Sequence, residues 1–220
     1  MTNLMKKFLL LGCLLGTLAS LAQAQNAERK PFVRNRGYFS ANINPAYPFL
    51  GGFGAKGFYN LPKRWSFGVV AEGAFQLPGF AAEQFFTNGD NLRVRWDYAL
   101  GTEVRYRFNR RDNDIRGFYL MAGAGYEGWT VRPREGEAVL PGTSQSVSFT
   151  NWYASVGAGF NWLPLRNRGL WIGIAYQTIW LLNNTNSRSV NGTTFNLRPW
   201  VSPGLAPTLS VGWRFGRSSQ

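Results

Sequence analysis

From Asn151 the chain alternates strictly: Trp152, Ala154, Val156, Ala158, Phe160 and Trp162 are apolar, and Tyr153, Ser155, Gly157, Gly159 and Asn161 between them are small or polar. A period of two is the signature of a strand with one apolar face. Tryptophans at both ends of that face predict contact with the two interfaces of a membrane. The same grammar runs from Leu92 to Asn109. There Val94, Trp96, Tyr98, Leu100, Thr102, Val104, Tyr106 and Phe108 are expected on the outer face, and Arg93, Arg95, Asp97, Ala99, Gly101, Glu103, Arg105 and Arg107 on the inner one. Trp65, Phe67, Val69, Ala71, Gly73, Phe75 and Leu77 form another outer set, with Glu72, Ala74 and Gln76 inside. Further outer sets are Phe118 to Tyr126, Leu170 to Trp180 and Leu209 to Phe215, and less regular strands are expected over Gly37 to Asn44 and Gly52 to Leu61.

These make eight strands, and their connections alternate in length. Asn60 to Arg64, Asn109 to Ile115 and Leu163 to Gly169 are short, whereas Pro78 to Asn91, Arg132 to Ser148 and Leu182 to Ala206 are long; only Pro45 to Leu50 breaks the rhythm. Short periplasmic turns and long extracellular loops have this spacing when the N-terminus starts in the periplasm. The expected fold is therefore all-β: an eight-stranded antiparallel up-and-down transmembrane β-barrel. A helical alternative fails, because no segment repeats apolar residues at i, i+3 and i+4. A soluble barrel would carry its charges outside, whereas alternation places those of Leu92 to Asn109 inside, where unpaired ions are costly in a dry cup.

The first residues add a compartment. Lys6 and Lys7 precede an apolar run from Phe8 to Ala22 that ends in Ala22-Gln23-Ala24, the pattern of a secretory signal peptide cut before Gln25. A lipoprotein reading of Leu11-Gly12-Cys13 is set aside, because only five residues separate Lys7 from Cys13, against about 7 to 15 for an apolar signal core. The expected organisation is a removed signal over 1–24, an N-terminal periplasmic segment over 25–36, the barrel over 37–216 and a C-terminal tail over 217–220. Cleavage would remove Cys13, the one cysteine, and there is no histidine. Without Lys6 and Lys7, 22 basic residues stand against 11 acidic ones, a net charge of +11. In an exported chain that balance points to an anionic membrane surface rather than to nucleic acid.

With eight strands, the signal and a last strand ending Leu209-Ser210-Val211-Gly212-Trp213-Arg214-Phe215, the chain resembles small bacterial outer-membrane barrels of the OmpA/OmpX type, a porin-like family. The resemblance implies residence in the outer membrane of a Gram-negative cell after signal cleavage, with outer-membrane lipid as surroundings. Alternation up to a terminal Phe is similar to the signal read by the barrel-assembly machinery, a partner during biogenesis. Here Gly216 to Gln220 follow that aromatic, where the family usually ends on it.

Candidate chemistry then lies in two places. The inner face carries Lys56, Glu72, Arg95, Asp97, Glu103, Arg105, Arg107, Glu127 and Arg214. In so narrow a lumen these charges are expected to neutralise one another. Glu72, Asp97 and Glu127 are expected at similar heights, close to Arg95, where they would crowd enough to hold a proton or a cation. In the second outer loop Phe80, Phe85 and Phe86 are candidates for contact with a surface partner, or for folding against the barrel mouth. The fourth outer loop, rich in Asn, Ser and Thr, reads as polar and exposed. Lys63, Arg64, Arg110, Arg111, Arg116, Arg166 and Arg168, in or beside the short turns, and Arg29, Lys30, Arg34 and Arg36 before the first strand would meet phospholipid phosphates.

Catalysis and cofactors are not expected. Gly52, Gly54 and Gly57 match G-x-G-x-x-G, but no βαβ unit follows. Lipid deacylation through Ser and His is excluded by the lack of histidine, and most transition-metal ligands are missing with it. The reading is a non-enzymatic barrel with a structural or surface-interaction role. The alternatives are a narrow pore for ions or small solutes, gated by lumen ion pairs, and a carrier of a small apolar ligand, hinted at by Val70, Met121 and Ile179.

Overall fold

A computed structural model describes residues 37–108, 115–134, 140–164, 169–183, 187–201 and 208–215. The signal, the basic residues before Gly37, Arg110, Arg111, Arg166, Arg168 and the tail lie outside the described residues.

Among the described residues, the barrel strands are β1 (Tyr38–Ile43), β2 (Phe53–Asn60), β3 (Trp65–Gln76), β4 (Leu92–Arg107), β5 (Gly117–Pro133), β6 (Val147–Trp162), β7 (Leu170–Leu181) and, after three short strands in the last long connection, β11 (Thr208–Phe215). Each pairs antiparallel with the next, and β11 pairs with both β7 and β1, from Phe39 opposite Phe215 to Ile43 opposite Val211. The eight expected strands thus close into one barrel without a free edge. β5 and β6 extend further than alternation alone suggested, to Pro133 and from Val147, so the two ends of Arg132 to Ser148 are strand. The short first outer connection is a single 3-10 turn, Tyr47–Leu50, ended by Gly51 in the left-handed region at φ 81°.

The outer wall is what a membrane requires and a soluble protein avoids. Phe39, Val69, Leu100, Phe118 and Trp152 are each more than half exposed, far beyond scattered surface apolarity. Trp65, Trp162 and Trp213 ring the short-turn end, and Tyr98, Tyr126 and Trp152 mark the long-loop end. On β6 the ten steps from Trp162 to Trp152 cover about 33 Å, or about 25 Å along a barrel whose strands tilt by ~40°, the usual height of the lipid-facing band.

Just beyond that band the alternation breaks. Trp96 pairs with Trp129 and Tyr98 with Gly128, so Asp97 is an extra residue on β4, a β-bulge. On β3 the partner rung falls at Ala74, which takes a left-handed φ of 62° beside Gly73 at 147°. A Cβ on Gly73 would stand 2.5 Å from the Tyr98 Cα, so only glycine fits there. Each break flips the side chains on its long-loop side, which follow Ala74 on β3 and precede Tyr98 on β4. Phe75, Leu77, Val94 and Trp96, expected outside, are buried inside; Arg93 and Arg95, expected inside, are exposed, and Asp97 turns outward with them.

The barrel therefore has two storeys. Within the membrane band it is apolar outside and polar inside. Above the bulges it is polar outside and packed with Phe75, Leu77, Leu92, Val94, Trp96, Trp129 and Val131 inside, like a soluble barrel. The long connections complete this upper core. The helix α1 (Gly79–Phe85) leads to Phe86, which bridges to Leu197, and the hairpin of β8 (Arg188–Val190) and β9 (Thr193–Phe195) contributes Val190 and Phe195. The short β10 (Trp200–Val201) then returns the chain along β7. The fourth outer loop is consequently not a polar exposed loop throughout, since Val190, Phe195 and Leu197 are almost fully buried.

Candidate functional site

The lower storey holds a compact charge network built by three adjacent strands. Lys56 on β2 reaches Glu103 on β4 at 2.9 Å and Glu72 on β3 at 3.6 Å, while Arg105 binds the other oxygen of Glu103 at 2.6 Å. All four side chains are nearly inaccessible, so two positive and two negative charges balance inside the wall. Two aromatic rings hold the guanidinium of Arg105, Phe58 at 3.8 Å and Tyr119 at 4.6 Å. From the first outer connection Tyr47 donates its phenol proton to Glu72 at 3.2 Å. Burial and the neighbouring carboxylate push that phenol well above its ordinary value, which keeps it a donor.

Arg107 belongs to a different task. It donates to the carbonyls of Leu61 and Lys63 at 2.7 and 3.1 Å and to the Tyr38 phenol at 3.3 Å, closing the turn between β2 and β3 from inside. Arg214 is likewise buried near this end. Outside the same turn Arg64 lies over the ring of Tyr106 and donates to its hydroxyl.

Glu72 and Glu127 do meet at one height, both level with Ala99 on β4. Glu127 accepts from the indole N–H of Trp129 at 2.8 Å. Asp97 is not with them. It sits on the outer face, ion-paired to Arg95 at 3.3 Å and accepting from Thr130 at 2.6 Å. The bulge that displaces it thus dissolves the expected group of three lumen carboxylates and removes Arg95 from the lumen.

Above Glu127 the aromatic core seals the mouth. Trp96 and Trp129 stack with centroids 5.2 Å apart and planes 7° from parallel, and Phe85 and Phe86 pack on Trp129 at 5.1 and 5.4 Å. Of the three loop phenylalanines, Phe86 is fully buried, Phe85 half-buried and Phe80 exposed. Between plug and charge network the enclosed space is about 20 Å³, about enough for one water. Val70, Met121 and Ile179 do not form an apolar chamber: Val70 and Ile179 share that space with Lys56, Glu72 and Glu127, and Met121 packs apart with Tyr119 and Ala175. A larger apolar concavity, about 860 Å³, lies on the outer wall over Ala41, Ala55, Gly57 and Ala71. Among the described residues no group of His, Cys, Asp and Glu could hold a metal ion.

An exposed apolar belt on a closed eight-stranded barrel leaves one environment, and comparison with known families agrees. The model of the outer membrane protein beta-barrel domain matches residues 10–198. The chain belongs to this family. Its barrel is an outer-membrane barrel, and the matched span covers every barrel strand except β11. Comparison with curated proteins gives no match.

Proposed function

We propose that this protein is a sealed outer-membrane barrel, a rigid anchor that holds a folded long-loop end at the cell surface in a structural or surface-interaction role. The observation that carries this reading is the filled interior. Stacked Trp96 and Trp129, backed by Phe86 from one connection and Phe195 from another, occupy the mouth where a channel would open. Neutralised charges occupy the middle. The reading is also non-enzymatic, because the lumen charges are tied to one another and to buried donors rather than presented to a substrate. In it the leader is cleaved before Gln25 and the long loops face outward, leaving Phe80 on α1 as the apolar contact offered to a surface partner.

Conductance decides between anchor and pore. Refolded into a planar bilayer, the protein is expected to show no stepwise current, and Glu72→Gln and Glu127→Gln variants are expected to be equally silent. Reproducible channel steps from the unaltered barrel, changed by either substitution, would establish a gated pore instead. N-terminal sequencing of the membrane-extracted protein checks the cleavage site.

A further inference from the structure

Glu127 differs from the other buried acids of the lumen in what binds it. Lys56 and Arg105 hold Glu103, and Lys56 and the Tyr47 phenol hold Glu72, so two cations and two carboxylates are matched. Glu127 is only 1% exposed, yet among the described residues no lysine or arginine forms an ion pair with it. Its donor is the neutral indole of Trp129. Arg107 and Arg214 are buried toward the short-turn end, where Arg107 donates to the carbonyls of Leu61 and Lys63.

The groups that share the small space beneath the plug with Glu127 supply no further cation. Lys56, Glu72 and Glu103 line that space from β2, β3 and β4, and Tyr153, Ser155 and Gln177 line it from β6 and β7. Asn151, directly opposite Glu127 on β6, accepts at its amide oxygen from the backbone N–H of Asn183. An ionised carboxylate here would be desolvated without a counter-ion of its own, a state that a buried acid escapes by keeping its proton. A metal ion is a poor substitute. The indole N–H of Trp96, buried and without a partner, and the Lys56 ammonium both border the space with positive charge. One water fits its volume of about 20 Å³ and can accept from that N–H.

We propose that Glu127 is a proton-binding site, held as the neutral carboxylic acid at neutral pH. Trp129 donates to the carbonyl oxygen Oε1, and the hydroxyl at Oε2 donates to the single water of the space. Ionisation releases the proton to solvent and leaves a bare carboxylate under the Trp96–Trp129 stack, so the plug loosens as pH rises. The site rests on the sealed-barrel reading, since an open mouth would hydrate the carboxylate.

The test uses the full chain refolded in phosphatidylcholine vesicles, together with Glu127→Gln and, as a control, Glu83→Gln, which removes an exposed acid on α1. Heat-dependent gel mobility verifies that each is folded. At neutral pH the infrared spectrum of the unaltered protein is expected to contain the carbonyl stretch of a protonated carboxyl, lost in Glu127→Gln and kept in Glu83→Gln. Guanidinium unfolding across pH gives a second readout. The unfolded chain ionises near the ordinary glutamate value of about 4.3, whereas the folded chain keeps the proton to higher pH, so folding takes up one proton. Relative to Glu127→Gln, the unfolding constant of the unaltered protein is then expected to rise about tenfold per pH unit between about pH 5 and 7. A spectrum unchanged by Glu127→Gln, or a ratio of unfolding constants that is flat with pH, overturns the site. A ratio that follows sodium concentration at constant ionic strength overturns it in favour of a cation. Channel steps from the unaltered barrel overturn the seal, while the infrared band still reports on Glu127.

Discussion

Trp129→Ala is expected to destabilise the upper storey by about 3–5 kcal/mol, the range for truncating a large buried aromatic, while leaving the membrane barrel closed. Trp129 is inaccessible, stacks on Trp96, supports Phe85 and Phe86 and donates its indole proton to Glu127. Truncation therefore opens a cavity and strips a buried carboxylate of a donor. Lipid cannot fill the gap, because the plug lies inside the barrel and above the band. Guanidinium unfolding in lipid vesicles measures the loss, and limited proteolysis locates it. Cleavage in α1 and the β8–β9 hairpin is expected to appear long before the barrel loses its heat-dependent gel shift. Trp129→Phe, which keeps ring packing and loses the donor, should fall between the two. An unaltered stability and protease pattern for Trp129→Ala would mean that the loops do not pack into the mouth.

Glu103→Gln is expected to cost about 3 kcal/mol or more, because removing one partner leaves buried charge uncompensated. Glu103 is the carboxylate that binds both Lys56 and Arg105, at 2.9 and 2.6 Å, and Glu72 at 3.6 Å replaces it only for Lys56. Adding Arg105→Met to Glu103→Gln restores a balanced Lys56–Glu72 pair and is expected to recover a substantial part of the loss. Denaturant midpoints of the single and double variants read this coupling directly. A double variant less stable than Glu103→Gln would show that Arg105 contributes mainly through its packing between Phe58 and Tyr119.

Much of this architecture is legible in the sequence because a membrane barrel imposes one rule on every strand. On β6 the outer set from Trp152 to Trp162 is the observed one, and the same holds for the outer residues of β7 and β11. Lumen positions of Lys56, Glu72, Glu103, Arg105, Arg107, Glu127 and Arg214 follow from that rule as well. What it misses is where the rule stops. A bulge is one extra residue with no compositional mark, so alternation carried through Ala74 and Asp97 assigns the side chains of β3 after Ala74 and those of β4 up to Asp97 to the wrong face.

A conflict in the sequence does point to the break. Carrying β5 upward from Glu127 places Trp129 and Val131 inside, at the height where β4 would place Arg93 and Arg95. A buried tryptophan beside two buried arginines is an incompatible core, and moving one strand by one residue resolves it. The plug is harder to read. Phe85 and Phe86 stand out as a pair that could fold against the mouth, but Val190, Phe195 and Leu197 are isolated apolar residues among polar ones, and only the three-dimensional return of two loops to one mouth gives them a common core.

The central claim is that one barrel exchanges its inside and outside at the level of Ala74 and Asp97. Nitroxide scanning along β4 tests it most directly, with single cysteines from position 93 to 107 in a Cys13→Ser background and relaxation by lipid-soluble oxygen against a water-soluble nickel chelate. The two-storey barrel predicts that labels at Leu100, Thr102 and Val104 respond to oxygen, labels at Arg93 and Arg95 to nickel, and labels at Val94 and Trp96 to neither. Oxygen sensitivity continuing in step through Tyr98, Trp96 and Val94, with Arg95 and Arg93 silent, would contradict it.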